Sequence, residues 1–246
     1  MQPAAQDHST TQFRRTAAVI QSCYIPWKGF FDIVGSVDVF VIYDDVQYAK
    51  RHWHNRNKIK TADGLKWLTI PVETKGKYLQ NIDETRISDT WADKHMLSIR
   101  HAYRKAPHFD EIAAWFEPLY EEAAKCEMLS DVNALFMRAI SEQLGFETEF
   151  VWSSDLSADG QKTDRLLNIC QEIGADCYLS GPAAQVYFEG DKFDAAGVAY
   201  RWMDYSGYAE YPQLHGAFEH GVSAVDLLMN VGADARAFMK APIDLG

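Results

Sequence analysis

The sequence predicts an α/β domain built on a Rossmann-like parallel sheet of about five strands, with a β-hairpin and a helical insertion between strands two and three. Three observations carry this expectation. First, two short apolar runs, Ala17 to Ile20 and Val39 to Tyr43, bracket a Pro26 to Gly29 break and the helix-spaced set Phe30, Ile33, Val34 and Val37. Such runs read as strands buried on both faces, and a helix crossing between them makes a parallel βαβ unit. Second, the same alternation returns after residue 147. Third, a hairpin signal and three amphipathic helices fill the interval between.

Taken in order, residues 1–15 are polar and lack a hydrophobic signal region, so they are expected to form a disordered tail ahead of a single domain over 16–246. After the second strand, Arg56 to Lys60 and Leu65 to Pro71 flank Thr61-Ala62-Asp63-Gly64, where Asp-Gly suits the positive φ angles of a tight hairpin turn. Residues 73–80 read as a loop. The insertion, about 89–145, begins with a helix carrying Trp91, His95, Met96, Ile99 and Tyr103 on one side, with Asp89 or Thr90 as its cap and Pro107 as its stop. Phe109, Ile112, Ala113, Phe116 and Tyr120 repeat the period, and Pro118 is expected to kink that helix or start a new turn. Ser130 is expected to cap a third helix that ends at Gly145. Glu147 to Trp152, Asp176 to Ser180 and Val198 to Met203 then supply three strands. Lys162 to Ile173, stopped by Gly174, and Ser223 to Asn230 supply helices.

Composition narrows the function classes. A net charge of −11 argues against a general nucleic-acid surface. No apolar run approaches the roughly 18 residues of a membrane span, so a cytoplasmic protein without membrane insertion is expected; a homo-oligomer is compatible. Cys23, Cys126, Cys170 and Cys177 form no C-x-x-C pair and no zinc spacing with histidine, which predicts reduced thiols and no metal site.

Ligands of open parallel sheets bind beyond the carboxyl ends of the strands, which puts Gln21, Tyr24 and Trp27 at one mouth with Asp44, Asp45 and Gln47. Neither G-x-G-x-x-G nor G-x-x-x-x-G-K is present to cradle phosphate. The acid-free interval Val46 to Ala62 is the alternative: Arg51, Arg56 and Lys58, with Asn55 among them, are expected to grip a diphosphate, a solvated hairpin surface being the competing view. Asp44 is a candidate general base. His95 and His220 are the imidazole candidates for proton transfer, although a lone histidine on an apolar helix face is commonly a core residue. Cys23 has no base adjacent in sequence, which weakens it as a nucleophile. Ser180 and Tyr187 are expected to line the same edge and to bind.

From about Ala17 to Gly232 the chain resembles the WbqC-like family of bacterial polysaccharide gene clusters, through IQSCYIPWKGFFDIV, YDDVQYAKRHWHNRNKIK, WLTIPV, DKH, YLSGPAAQVYF and FEHGVSAVDLLMN. More distantly it is similar to the HUP class of nucleotide-binding domains, although Trp27-Lys28-Gly29-Phe30 lacks the first residue and the closing histidine of that class's H/T-x-G-H turn. The resemblance implies a role in O-antigen or related surface-sugar precursor synthesis. With the residues above, it points to an enzyme acting on a nucleotide-linked amino sugar, by acyl or aminoacyl transfer from acetyl-CoA or an activated amino acid to the sugar amine. The alternatives are an ATP- and magnesium-dependent nucleotidyltransferase or adenylate-forming enzyme, and a non-catalytic sugar-nucleotide-binding module.

Overall fold

The computed structural model describes residues 13–245. The chain runs β1 (Thr16–Ile20), α1 (Lys28–Val34), β2 (Val39–Ile42), β3 (Arg56–Thr61), β4 (Gly64–Thr69), α2 (Ala92–Tyr103), α3 (Phe109–Ala123), α4 (Leu129–Gln143), β5 (Glu149–Trp152), α5 (Lys162–Glu172), β6 (Cys177–Ser180), α6 (Gly190–Ala196), β7 (Ala199–Trp202) and α7 (Ala224–Val231). Five strands form a parallel sheet in the order β5-β2-β1-β6-β7, and β3 pairs with β4 as a separate antiparallel hairpin. This is the predicted Rossmann-like α/β class, with the hairpin and the helical insertion between the second and third strands of the sheet.

Side chains of a strand alternate between its faces. Ala18, Phe40 and Ile42 therefore pack to one side, against Phe31 and Val34 of α1, the helices α2 to α4, and Leu227 and Leu228 of α7. Ala17, Val19, Val39 and Val41 pack to the other, against Leu166, Ile169 and Cys170 of α5 and Phe193 of α6. The result is a three-layer sandwich whose sheet is covered on both faces, as the unbroken apolar strands require.

Local signals mostly hold, with informative exceptions. Pro118 sits inside α3, on its exposed side, and the helix continues through it. Trp91, not Asp89 or Thr90, occupies the N-cap of α2. Ser130 lies one residue inside α4 and gives its hydroxyl to Asp44 rather than to a cap. Ser223 does cap α7, accepting the Val225 N–H at 3.2 Å. Helix α6 lacks an apolar period: of its seven residues only Phe193 is buried, so tertiary context decides it.

Residues 1–12 of the expected tail lie outside the described residues. Arg14 and Arg15, within that expected tail, donate their backbone N–H groups to the Asp176 carboxylate, and Arg15 pairs with Glu149 at 2.7 Å. Among the described residues no helix is long and apolar enough to cross a membrane.

Candidate functional site

From β1 the chain moves outward through β2 to β5, then crosses back to place β6 on the other side of β1. The loops leaving β1 and β6 therefore diverge, and such a switch point opens a crevice beyond the strand ends. A cavity of about 460 Å³ occupies it. Gln21 and Trp27 enter from the segment after β1, Ser180 and Tyr187 from β6 and the segment after it, Tyr43 from the end of β2, and Tyr205 from the segment after β7.

The walls are aromatic. Trp27 packs edge-on to Tyr205 with ring centroids 5.0 Å apart. A Cβ on Gly29 would lie 2.4 Å from the Trp27 ring, so the missing side chain is what lets the indole lie over the start of α1. Burial, and secondarily the Asp32 carboxylate, push the Tyr205 hydroxyl up to about 12; burial also raises Tyr43 and Tyr187. At neutral pH these phenols are uncharged hydrogen-bond donors.

Among the described residues one cation lines the crevice: Lys162, the first residue of α5, held at φ +50°. No carboxylate lies within ion-pair distance of it among the described residues. The preceding Gln161 supplies no side-chain cap; its carbonyl takes the Asp164 N–H at 3.2 Å, and the helix start before Asp164 has no side-chain acceptor beside that ammonium. Thr163 ties this turn to the segment that carries Tyr187, since its hydroxyl donates to the Tyr187 carbonyl at 3.4 Å and accepts the Glu189 N–H at 3.2 Å. One rim is fixed by an ion pair between Arg165 and Asp45, with the guanidinium 5.1 Å above the Tyr43 ring and Ser153 donating to Asp45.

Of the residues singled out from sequence, Gln21, Trp27, Ser180 and Tyr187 come together here, and Asp45 borders the site through Arg165. The others lie elsewhere. Asp44 is buried and accepts from Ser22 N at 2.8 Å and from the Ser130 hydroxyl, which makes it a tie between the segment after β1 and α4. Tyr24 is fully buried, its hydroxyl bonded to the Tyr120 hydroxyl and, at 2.9 Å, to His95 Nδ1. His95 is likewise buried, and desolvation lowers its pKa to about 4 despite a hydrogen bond with the Thr69 backbone. His220 is exposed and packs on Phe218, outside the crevice lining. Burial and the neighbouring Asp44 push the Cys23 thiol up to about 12, which opposes thiolate chemistry.

The cations expected to grip a diphosphate do not share this crevice. Hairpin and turn do meet, but through Asn57, whose Nδ2 donates to the Tyr24 and Ile25 carbonyls at 3.1 and 3.0 Å and steadies Ile25 at φ +36°. Alternation along β3 then turns Arg56 and Lys58 to the opposite face, over the rings of Trp67 and Trp53. Arg51 is exposed and gives its carbonyl to Arg56; Asn55 is buried, donating to the Ile70 carbonyl at 2.8 Å. Gln47 faces a separate depression of about 340 Å³ beside Lys77 and Tyr78. A larger depression, about 680 Å³, opens at the start of α2, but it lies away from the strand ends and its Arg86 and Glu127 are paired with each other.

Lys162, Tyr43 and Tyr205 are the site residues missed in the sequence. Tyr43 and Tyr205 follow sheet strands and Lys162 opens the helix that leads to β6, signals that become usable only once the strand order is known. Among the described residues no three His, Cys, Asp or Glu side chains converge as a metal set.

Comparison with known proteins accords with this architecture at the level of family. The model of the WbqC-like protein family matches residues 21–238. The chain is 45% identical over 227 residues to a Mycobacterium tuberculosis protein named Uncharacterized protein Rv1507c, covering 92% of this chain and 98% of that one. No solved structure matches. The crevice described above thus sits in a chain that belongs to the WbqC-like protein family.

Proposed function

We propose that this chain binds a nucleotide-linked sugar in the β1–β6 crevice, in the surface-polysaccharide context that the family resemblance implies. One observation carries the reading: among the described residues, the crevice at the switch point combines flat aromatic walls with a single cation that has no carboxylate partner, at a helix start without a side-chain cap. Trp27, Tyr43 and Tyr205 offer stacking faces and phenolic donors to a base and sugar, while Lys162 and the first-turn N–H groups of α5 suit a phosphate.

Transfer to the sugar amine has less support. An attacking amine must lose a proton, and among the described residues the crevice lining contains neither an imidazole nor a carboxylate. The sugar-nucleotide-binding module is therefore favoured over the acyltransferase and over an ATP-dependent nucleotidyltransferase. Calorimetry with UDP- and dTDP-linked amino sugars tests it. Wild type binds, and Lys162→Ala and Tyr205→Ala each weaken binding roughly tenfold. Unchanged affinity in both variants would remove the crevice as the site. Incubation of the bound ligand with acetyl-CoA, or with ATP and glycine, leaves its mass unchanged; a gain in mass would restore the transferase.

A further inference from the structure

We infer a second ligand site on the outer face of the β3–β4 hairpin, for an organic diphosphate. The register pairs Arg56 with Thr69, Lys58 with Trp67 and Lys60 with Leu65, so three cations and Trp67 share one face of a two-stranded ribbon. Successive cations stand about 7 Å apart along the strand. Like charges so arranged repel, and partial burial of Arg56 and Lys58 sharpens the cost. Yet no carboxylate lies within ion-pair distance of Arg51, Arg56, Lys58 or Lys60 among the described residues.

Lys60 is satisfied without an anion, by Gln213 Oε1 at 2.7 Å and the Ala217 carbonyl. Arg56 and Lys58 are not. The Arg56 guanidinium lies 4.2 Å over Trp67, and the Lys58 ammonium stands 5.2 Å from Trp67 and 5.7 Å from Trp53. Cation–π contact orients both heads without neutralising them. Apart from one bond from Arg56 to the Arg51 carbonyl, the guanidinium has donors to spare, and its Nε has no acceptor. In a chain of net charge −11, two oriented and unneutralised cations fit an anion with two charged centres, one for each. Trp53 and Trp67, each 40% exposed, are the two exposed tryptophans of the chain's seven and give the esterified group a flat surface.

This site is separate from the crevice and stands or falls independently of it. Pyrophosphate is the probe, titrated into the full chain at low and at moderate salt. Wild type binds, more weakly as salt rises. Arg56→Ala and Lys58→Met, each made in a Lys162→Ala background that removes the crevice's cation, lower the affinity roughly 10- to 100-fold, whereas Lys162→Ala alone keeps the hairpin binding. Because Arg56→Ala also loosens the ring contact, tryptophan fluorescence gives a second readout: pyrophosphate perturbs the wild-type emission, and Trp53→Phe with Trp67→Phe abolishes that change. No pyrophosphate binding by wild type, unchanged affinity in both hairpin variants, or loss of all binding in Lys162→Ala would overturn the inference.

Discussion

His95 illustrates how a residue that suits catalysis by type serves structure by position. Its ring is buried between Trp91 and Tyr24, and desolvation holds its pKa near 4, below the ordinary 6.5; His54, hydrogen-bonded with the Ser22 carbonyl at 3.0 Å, is lowered to about 4 for the same reason. Both fold as neutral imidazoles. A pKa lower in the folded than in the unfolded state means the unfolded chain binds more protons between those values, so the stability contribution is present above pH 6.5 and is lost as the pH falls toward 4. Each histidine accounts for about 3 kcal/mol across that window. Buried Asp44, raised by desolvation, has the opposite sign, but it contributes equally to wild type and a His95 variant. Urea titrations of wild type and His95→Gln from pH 7 to pH 4 are therefore expected to show the wild type losing about 3 kcal/mol more. Parallel pH profiles would contradict the core assignment.

At the scale of elements, one buried carboxylate and one glycine shape the binding end of the sheet. Asp44 joins the segment after β1 to α4; Asp44→Ala leaves the Ser22 N–H and Ser130 hydroxyl without their acceptor and is expected to cost about 2 to 4 kcal/mol in urea unfolding. Gly29 gives Trp27 its place, and Gly29→Ala is expected to expel the indole and weaken sugar-nucleotide binding roughly tenfold, with Trp27 fluorescence shifted. An unchanged affinity would mean that Trp27 is not a wall of the working site. Elements with a strong local code were legible in the residues: β1 and β2 as apolar runs, the hairpin from Asp63-Gly64, α2 to α4 from their period. Helix α6 was not, because one buried phenylalanine in seven residues makes no pattern. The direction of Arg56 and Lys58 was recoverable in principle from alternation, since Asn57 and Ile59 had to face inward, but only once the hairpin's buried face was known.

For the whole molecule, position follows strand order, and strand order is the quantity that local sequence does not encode. Strands β1 and β2 are neighbours, as the sequence suggests, but the crevice opens on the other side of β1, next to β6, which the crossover through α5 places there. That crossover brings Lys162 to Trp27 across more than half the chain, and it explains why Ser180 and Tyr187 were found while Lys162 and Tyr205 were not. The most direct measurement is a crystal structure of the chain soaked with the UDP-linked amino sugar at a concentration that saturates it in calorimetry. Difference density in the β1–β6 crevice, with a planar base against the Trp27 and Tyr205 walls and phosphate at Lys162, is the predicted result. An empty crevice with the ligand ordered elsewhere on the chain would contradict it.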